Sequence, residues 1–254
     1  MMESVLEKID RFNQYNKTMI EVALAESNRS YQGTPGKLLL CAIFDSLSKV
    51  AFPDIGKNNE RFKKTIVEYS GWSECNRVSL LQLRYAFEHI GEVPEEFLGL
   101  KEWVLSELLA KLPKPNSLIN KPEYLSIDPE MHMVLSLWPH QEGKPVKLNR
   151  QYAPDEFTHL HLLWKYRNKL AHELRVPGTS SEFPTESSRI PYYVNLNQVN
   201  DKGLLINGKW LLIYPIDFFA EITDKAIDTL CSYYRTKNTS PFLHYTEGAF
   251  WLKR

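Results

Sequence analysis

Apolar side chains recur every three or four positions along most of this chain, the spacing that predicts helices with one buried face. Before residue 113 the pattern predicts helices over residues 3–27, 37–51, 59–69, 77–89 and 95–112. The second of these is apolar nearly all round, which is typical of a helix in a protein core. Thr34, Pro35 and Gly36 precede it and predict a break in the chain.

The pattern changes between residues 113 and 154. Prolines stand at 113, 115, 122, 129, 139, 145 and 154, and no helical period persists. Residues 131–138 are nevertheless apolar enough to dock on a core. We therefore interpret 113–154 as a proline-rich, ordered insertion within one domain. After it, Asp155 is the expected N-cap of a helix that reaches about Leu174.

Residues 190–214 alternate in polarity and predict a β-hairpin. One strand covers 192–199, and 204–214 form one strand or two, depending on whether Asn207 and Gly208 make a tight turn. Pro215 then opens a last helix over 216–235. The tail is rich in aromatic residues and is expected to pack on the body, through Phe242, Tyr245, Phe250 and Trp251.

These elements predict a mainly α fold: a helical bundle with a small β-hairpin insertion and a proline-rich excursion. We expect one domain over residues 1–254. Its centre should be the packing of 38–51 against 157–174, because these are the two most extensively apolar helical segments.

The composition of the chain excludes several classes of function. Lys and Arg number 31, as do Asp and Glu, so the formal net charge is zero and unspecific electrostatic adhesion to nucleic acid or membrane is not expected. The cysteines, at 41, 75 and 231, form neither a disulfide framework nor a zinc spacing. Neither a signal peptide nor a membrane span is recognisable. We therefore predict a cytoplasmic protein with no membrane partner.

The segment 156–172 carries the candidate chemistry. On a helical wheel its apolar residues form one stripe, and Arg167 falls near the middle of that stripe. An arginine there is costly unless its guanidinium is paired. The polar flank brings a second cation, an amide and imidazoles to the edge of an apolar surface: His161, Lys165, Asn168 and His172.

Structural roles are the alternative for the same residues. Arg167 would then pair with a core carboxylate such as Asp45, and His172 would interact with the dipole at the helix end. His159 and His161 would be ordinary surface residues.

The order Arg167-Asn168-Lys169-Leu170-Ala171-His172 resembles the Arg–polar–x–x–x–His signature of the HEPN superfamily (higher eukaryotes and prokaryotes nucleotide-binding). The aliphatic and aromatic residues 162–166 are similar to the family's approach to that motif, and 38–49 are similar to an earlier helix. The resemblance extends over roughly residues 35–235, and residues 113–154 would be an insertion in the family's fold. Leu174 stands where some toxin members carry a modifiable tyrosine, so that mode of control is not expected.

The resemblance implies a metal-independent endoribonuclease without a cofactor, a toxin or defence effector that works as a homodimer. His172 would transfer protons, Arg167 would stabilise the phosphorane, and Asn168 would orient either His172 or the scissile phosphate. Lys165, Lys169 and His161 would bind the RNA, a tRNA or an mRNA, and an antitoxin is the implied regulatory partner. The neutral charge favours an alternative, a non-catalytic HEPN module for dimerisation or nucleotide or RNA binding. A third reading is an unrelated helical protein with a chance motif.

Overall fold

The computed structural model describes residues 3–29, 33–112, 118–119, 121–180 and 188–244. These residues form a mainly helical fold with a small β-hairpin, which confirms the predicted fold class. The helices are α1 (Val5–Arg29), α2 (Thr34–Ala51), α3 (Asn58–Tyr69), α4 (Leu80–His89), α5 (Leu98–Lys111), α6 (Met131–Leu137), α7 (His159–Glu173) and α8 (Ile216–Lys237). The strands are β1 (Glu123–Tyr124), β2 (His140–Gln141), β3 (Lys144–Pro145), β4 (Tyr192–Val199) and β5 (Leu205–Ile213).

The chain divides into two compact units. One comprises Met1–Trp72 and Ile216–Arg254, and the other comprises Ser73–Pro215. The two apolar helices that were expected to form one central pair, α2 and α7, belong to different units and each helps to organise its own. That the chain folds as one domain stays a prediction. Among the residues with described positions, no helix is both long and apolar enough to cross a bilayer.

The first unit is built from helices, with α2 at its centre. This helix packs against α1, α3 and α8, as its nearly continuous apolar surface predicts. The ring centroids of Phe44 and Phe62 lie 5.1 Å apart, and Tyr234 Oη donates to the carbonyl oxygen of Val50 over 2.9 Å. From the tail, Phe242 packs edge-on against Phe12, while Tyr245, Phe250 and Trp251 lie outside the described residues.

The start of α2 differs from the sequence prediction. Thr34, Pro35 and Gly36 form its first turn instead of a break. Gly33, with φ of 63°, supplies the left-handed residue before the helix, and proline is compatible with a first turn because that position needs no amide donor. The break therefore ends at Gly33.

The second unit combines α4–α7 with a three-stranded antiparallel sheet in the order β1-β4-β5. In β4 and β5, Tyr192 pairs with Ile213 and Val194 with Leu211. The proline-rich insertion supplies β1 to this sheet, so the hairpin is not isolated. It also supplies α6, followed by the buried Trp138, whose ring lies 5.5 Å from that of Phe97. This confirms the expected docking of 131–138.

Of the two alternatives left open for residues 204–214, the structure has one strand and no tight turn at Asn207 and Gly208. Asn207 and Gly208 lie within the continuous strand β5, opposite a register shift between Leu196 and Gln198. A Cβ atom at Gly208 would fall 1.5 Å from the carbonyl oxygen of Leu196. Glycine is therefore needed here for the close approach of two backbones, a role that glycine also has in strands.

Candidate functional site

The motif helix α7 begins later than predicted. The Oγ1 of Thr158 accepts a hydrogen bond from the backbone amide of His161 over 3.2 Å, so Thr158 is the N-cap. The expected cap, Asp155, instead lies in a 3-10 turn over Pro154–Phe157. The helix starts at His159 and ends at Glu173, which keeps all six candidate residues within it.

The buried face of α7 is also rotated from the predicted stripe. Its fully buried positions are His159, Leu163, Tyr166 and Leu170. Arg167 is therefore half-buried at the edge of that face and not at its centre. The helical wheel did not predict this rotation because His159 is buried by a partner from a distant segment, Asp128.

Arg167 is held in place by neighbours on its own helix. Its Nη1 donates to Oδ1 of Asn168 over 2.9 Å, and its guanidinium carbon lies 5.2 Å from the ring centroid of Trp164. The amide fixes one edge of the guanidinium fork and the indole contacts its plane. Two predicted motif residues are thus in direct contact, and the guanidinium is already oriented.

The two lysines beside the motif form ion pairs. Lys165 Nζ lies 3.2 Å from Oε2 of Glu156. Lys169 pairs with Glu173, which also binds Arg175, and these two basic groups lower the pKa of the Glu173 carboxyl. All are surface pairs, which contribute little to stability and exchange readily with other ions. His161, the third predicted RNA-binding residue, has a half-buried side chain.

His172 lies in the last turn of α7 and is exposed. After it the chain leaves the helix at Leu174, whose left-handed φ of 52° ends the helical path. The predicted proton-transfer group therefore lies on an exposed helix end, five positions after a half-buried and oriented arginine.

A buried polar network in the second unit was not predicted. His159 Nε2 lies 2.7 Å from Oδ2 of Asp128, and Tyr193 Oη donates to the same oxygen over 2.7 Å. Because the tyrosine proton is used there, the Ser79 hydroxyl donates to Tyr193 Oη, also over 2.7 Å. The other carboxylate oxygen, Oδ1, accepts the backbone amide of Leu80 over 3.0 Å.

This network joins the start of α4, the loop before α6, the first turn of α7 and strand β4. All four side chains in it are buried, so it is closed to a substrate: Ser79, Asp128, His159 and Tyr193. Burial, reinforced by the Asp128 carboxylate, raises the pKa of Tyr193 well above its usual value. We conclude that the network positions α7 and does not itself perform chemistry. His159 is therefore a core residue and not the surface residue considered above.

Within the described ranges, no group of three or more His, Cys, Asp or Glu side chains is arranged to hold a metal ion. Arg167 and Asn168, which are in contact, and the exposed His172 of the same helix are the candidate site, with lysines of α7 beside them. No known protein family, curated protein or solved structure matches this chain.

Proposed function

We propose that this chain is a metal-independent endoribonuclease of the HEPN type, a cytoplasmic toxin or defence effector that cleaves tRNA or mRNA as a homodimer. One observation carries the proposal. The guanidinium of Arg167 is oriented by Asn168 and Trp164, and an exposed histidine follows at the spacing of the motif. The guanidinium and the imidazole are the two groups that RNA cleavage by its own 2′-hydroxyl requires.

The pre-orientation of Arg167 suits a role in stabilising the transition state. A transition state of phosphoryl transfer places extra negative charge on the non-bridging oxygens, and a fixed guanidinium fork binds two of them. Because Asn168 and Trp164 already hold the fork, little reorganisation is needed when this charge develops. The amide of Asn168 remains beside the fork as a second polar group toward the phosphate.

His172 supplies proton transfer in this proposal. Its imidazole takes the proton of the 2′-hydroxyl, whose oxygen attacks phosphorus while the bond from phosphorus to the 5′-oxygen breaks. The leaving oxygen takes a proton from the imidazolium of the second protomer or from water. The products are a 2′,3′-cyclic phosphate and a 5′-hydroxyl, with no redox change.

The non-catalytic module is the second candidate function, and the ion pairs of α7 favour it. Lys165 and Lys169 are partly neutralised by Glu156 and Glu173, which weakens the positive field that an RNA would meet. Under this proposal the motif helix binds a second protomer or a nucleotide without cleaving it. The neutral net charge of the chain also favours the non-catalytic module.

Cleavage of purified RNA in EDTA tests the proposal. The full chain is incubated with total tRNA and with mRNA, beside the variants Arg167→Ala and His172→Ala, and the ends of the products are identified. We expect cleavage that yields 2′,3′-cyclic phosphate ends and falls about 10²-fold or more in each variant. A contaminating metal-dependent nuclease would be inhibited by EDTA.

His132→Ala is the matched control, because His132 is an exposed histidine on α6, outside the motif. It should cleave as the wild type does. Unchanged cleavage by His172→Ala, or no cleavage of any RNA by the wild type, would favour the non-catalytic module.

A further inference from the structure

Two adjoining cavities lie in the second unit, outside the motif. One is an open groove of about 490 Å³ between α4, the segment 178–179 and β5. The other is a pocket of about 120 Å³ between α7, the segment 177–180 and β5. Thr179 lines both, and Gln82 Nε2 donates to its Oγ1 over 2.9 Å. The two cavities therefore adjoin at this threonine.

The pocket is apolar and has the size of one ring. A cavity of about 150 Å³ in another protein accommodates benzene, so a volume of about 120 Å³ suits one small planar ring. Aromatic and aliphatic side chains supply most of its wall: Leu162, Tyr166, Pro177, Leu212 and Tyr214. The polar residues lining it are Gln82, Lys165, Thr179 and Ser180, which give a ring hydrogen-bonding groups along with apolar contact.

The groove is basic. Lys209 donates from Nζ to the carbonyl oxygen of Gly178, and His89 Nδ1 lies 2.7 Å from the carbonyl oxygen of Tyr85, so neither of these contacts neutralises a charge. Arg84 is the third basic residue and pairs with Glu88 over 2.6 Å. The groove thus carries Arg84 and Lys209 against one carboxylate, with an imidazole in addition. This charge suits a phosphate group.

Gly178 makes the backbone of the groove accessible. A Cβ atom at Gly178 would meet nothing within 4 Å, so open space adjoins this residue. Lys209 and His89, whose side chains can donate hydrogen bonds to a phosphate, are both exposed. A ligand can approach them without a rearrangement of the fold.

We propose that the pocket and the groove together form a subsite for one unstacked pyrimidine nucleotide, with its single-ring base in the pocket and its phosphate beside Lys209 and Arg84. The proposal rests on the proposed function in taking RNA as the source of that nucleotide. A base can enter such a pocket only when it is unpaired, so the subsite selects single-stranded RNA. Leu162, Lys165 and Tyr166 line the pocket from α7, so the subsite and the motif share this helix.

Equilibrium binding tests this subsite without relying on cleavage. The full chain is titrated against a fluorescein-labelled single-stranded hexaribonucleotide with 2′-O-methyl sugars, which cannot be cleaved, and against its duplex and the four nucleoside monophosphates. The variants are Lys209→Gln for the groove and Leu162→Phe for the pocket. The control is Lys144→Gln, an exposed lysine in the same unit.

We expect the single strand to bind better than the duplex. Lys209→Gln should weaken this binding about tenfold and reduce the salt dependence by one phosphate contact, about 0.7 in the logarithmic slope. Leu162→Phe should weaken it with the salt dependence unchanged, and Lys144→Gln should leave it as in the wild type. Monophosphates that bind as tightly as the hexamer would identify a free nucleotide as the source.

No binding of the hexamer or of any monophosphate, or equal loss in Lys144→Gln and Lys209→Gln, would overturn the subsite. Binding that depends on Lys209, in a protein that cleaves no RNA, would support the subsite and contradict the endoribonuclease. Cleavage at limiting substrate that depends on His172 but not on Lys209 or Leu162 would support the endoribonuclease and contradict the subsite. The two proposals therefore fail separately.

Discussion

The Nε2 atom of His159 lies 2.7 Å from Oδ2 of Asp128, and neither side chain reaches solvent. These residues are 31 positions apart, and their contact connects the first turn of α7 to the loop before α6. The same carboxylate accepts from Tyr193 and from the backbone of Leu80. Asp128 therefore connects the motif helix to β4 and to the start of α4.

Asp128→Ala should strongly destabilise the protein. It removes the carboxylate that His159, Tyr193 and the Leu80 amide share, and each buried polar group left unsatisfied costs about 1–3 kcal/mol. Urea unfolding monitored by circular dichroism measures the loss in the free energy of unfolding. Asp201→Ala, in the exposed turn between β4 and β5, is the control and should stay within about 0.5 kcal/mol of the wild type. Equal stability of the two variants would contradict a structural role for the network.

Alkaline pH should destabilise the protein through its buried tyrosines. Burial raises the pKa of Tyr193 and of Tyr214 well above 10, and Asp128 adds to both effects. Above pH 10 the unfolded chain loses phenolic protons that the folded chain retains. The contribution of these two tyrosines to stability is therefore complete below about pH 10. It is lost as the pH rises toward the pKa values that the tyrosines have in the folded protein. Urea titrations at pH 8, 10 and 11 should show a fall of up to about 1.4 kcal/mol per pH unit for each proton.

Tyr193→Phe should flatten this alkaline decline, because the proton that folded Tyr193 retains is no longer present. Tyr15→Phe is the matched control, since Tyr15 is 64% exposed, and its decline should equal that of the wild type. A decline that is the same in all three proteins would exclude Tyr193 as its source.

Asn195→Leu should stabilise the protein. Both polar atoms of the Asn195 side chain are buried and have no hydrogen-bond partner in the described part of the chain. Replacing such an amide by a similar apolar side chain should raise the free energy of unfolding by about 1–3 kcal/mol. Asn197→Leu is the contrasting variant and should destabilise, because Oδ1 of Asn197 accepts from the Gly208 amide over 3.3 Å. A lower stability for Asn195→Leu would show that its amide is satisfied in solution.

The features predicted well are those with local causes. The α3 helix was predicted over 59–69 and spans Asn58–Tyr69, because its apolar period follows from the sequence of that segment alone. Strand β4 matches its prediction for the same reason. In contrast, β1 has two residues and pairs with Tyr192 and Tyr193, so its position follows from the sheet and not from its own pattern.

The candidate site was predicted less completely, for a related reason. The motif residues could be placed on one helix because their spacing is local. The buried face of that helix could not be predicted, because His159 is drawn inward by Asp128, which lies 31 positions earlier in the chain and also binds Tyr193. No pattern within α7 signals partners that distant.

Asn168→Ala should reduce cleavage more than stability if Asn168 positions Arg167. The variant removes the acceptor of the guanidinium over 2.9 Å, so the fork loses its orientation before the reaction. We expect kcat to fall about tenfold with KM little changed, since the loss concerns the transition state. Asn168→Asp retains an acceptor and should recover most of the rate. Equal rates in Asn168→Ala and the wild type would contradict this role.

We expect a homodimer joined through the end of α7. The structure also offers a second surface, on α5, through which two copies could associate. Three exposed leucines lie along one face of α5 at a spacing of seven and then four residues: Leu98, Leu105 and Leu109. Such a stripe is also a plausible contact for a second copy. Light scattering at micromolar concentration should give twice the mass of 29.6 kDa. Lys169→Glu, which sets like charges against Glu173 around the two-fold axis, should yield monomers, and Leu109→Glu should leave the dimer intact. A monomeric wild type, or a dimer lost in Leu109→Glu and kept in Lys169→Glu, would exclude a composite site built from two copies of α7.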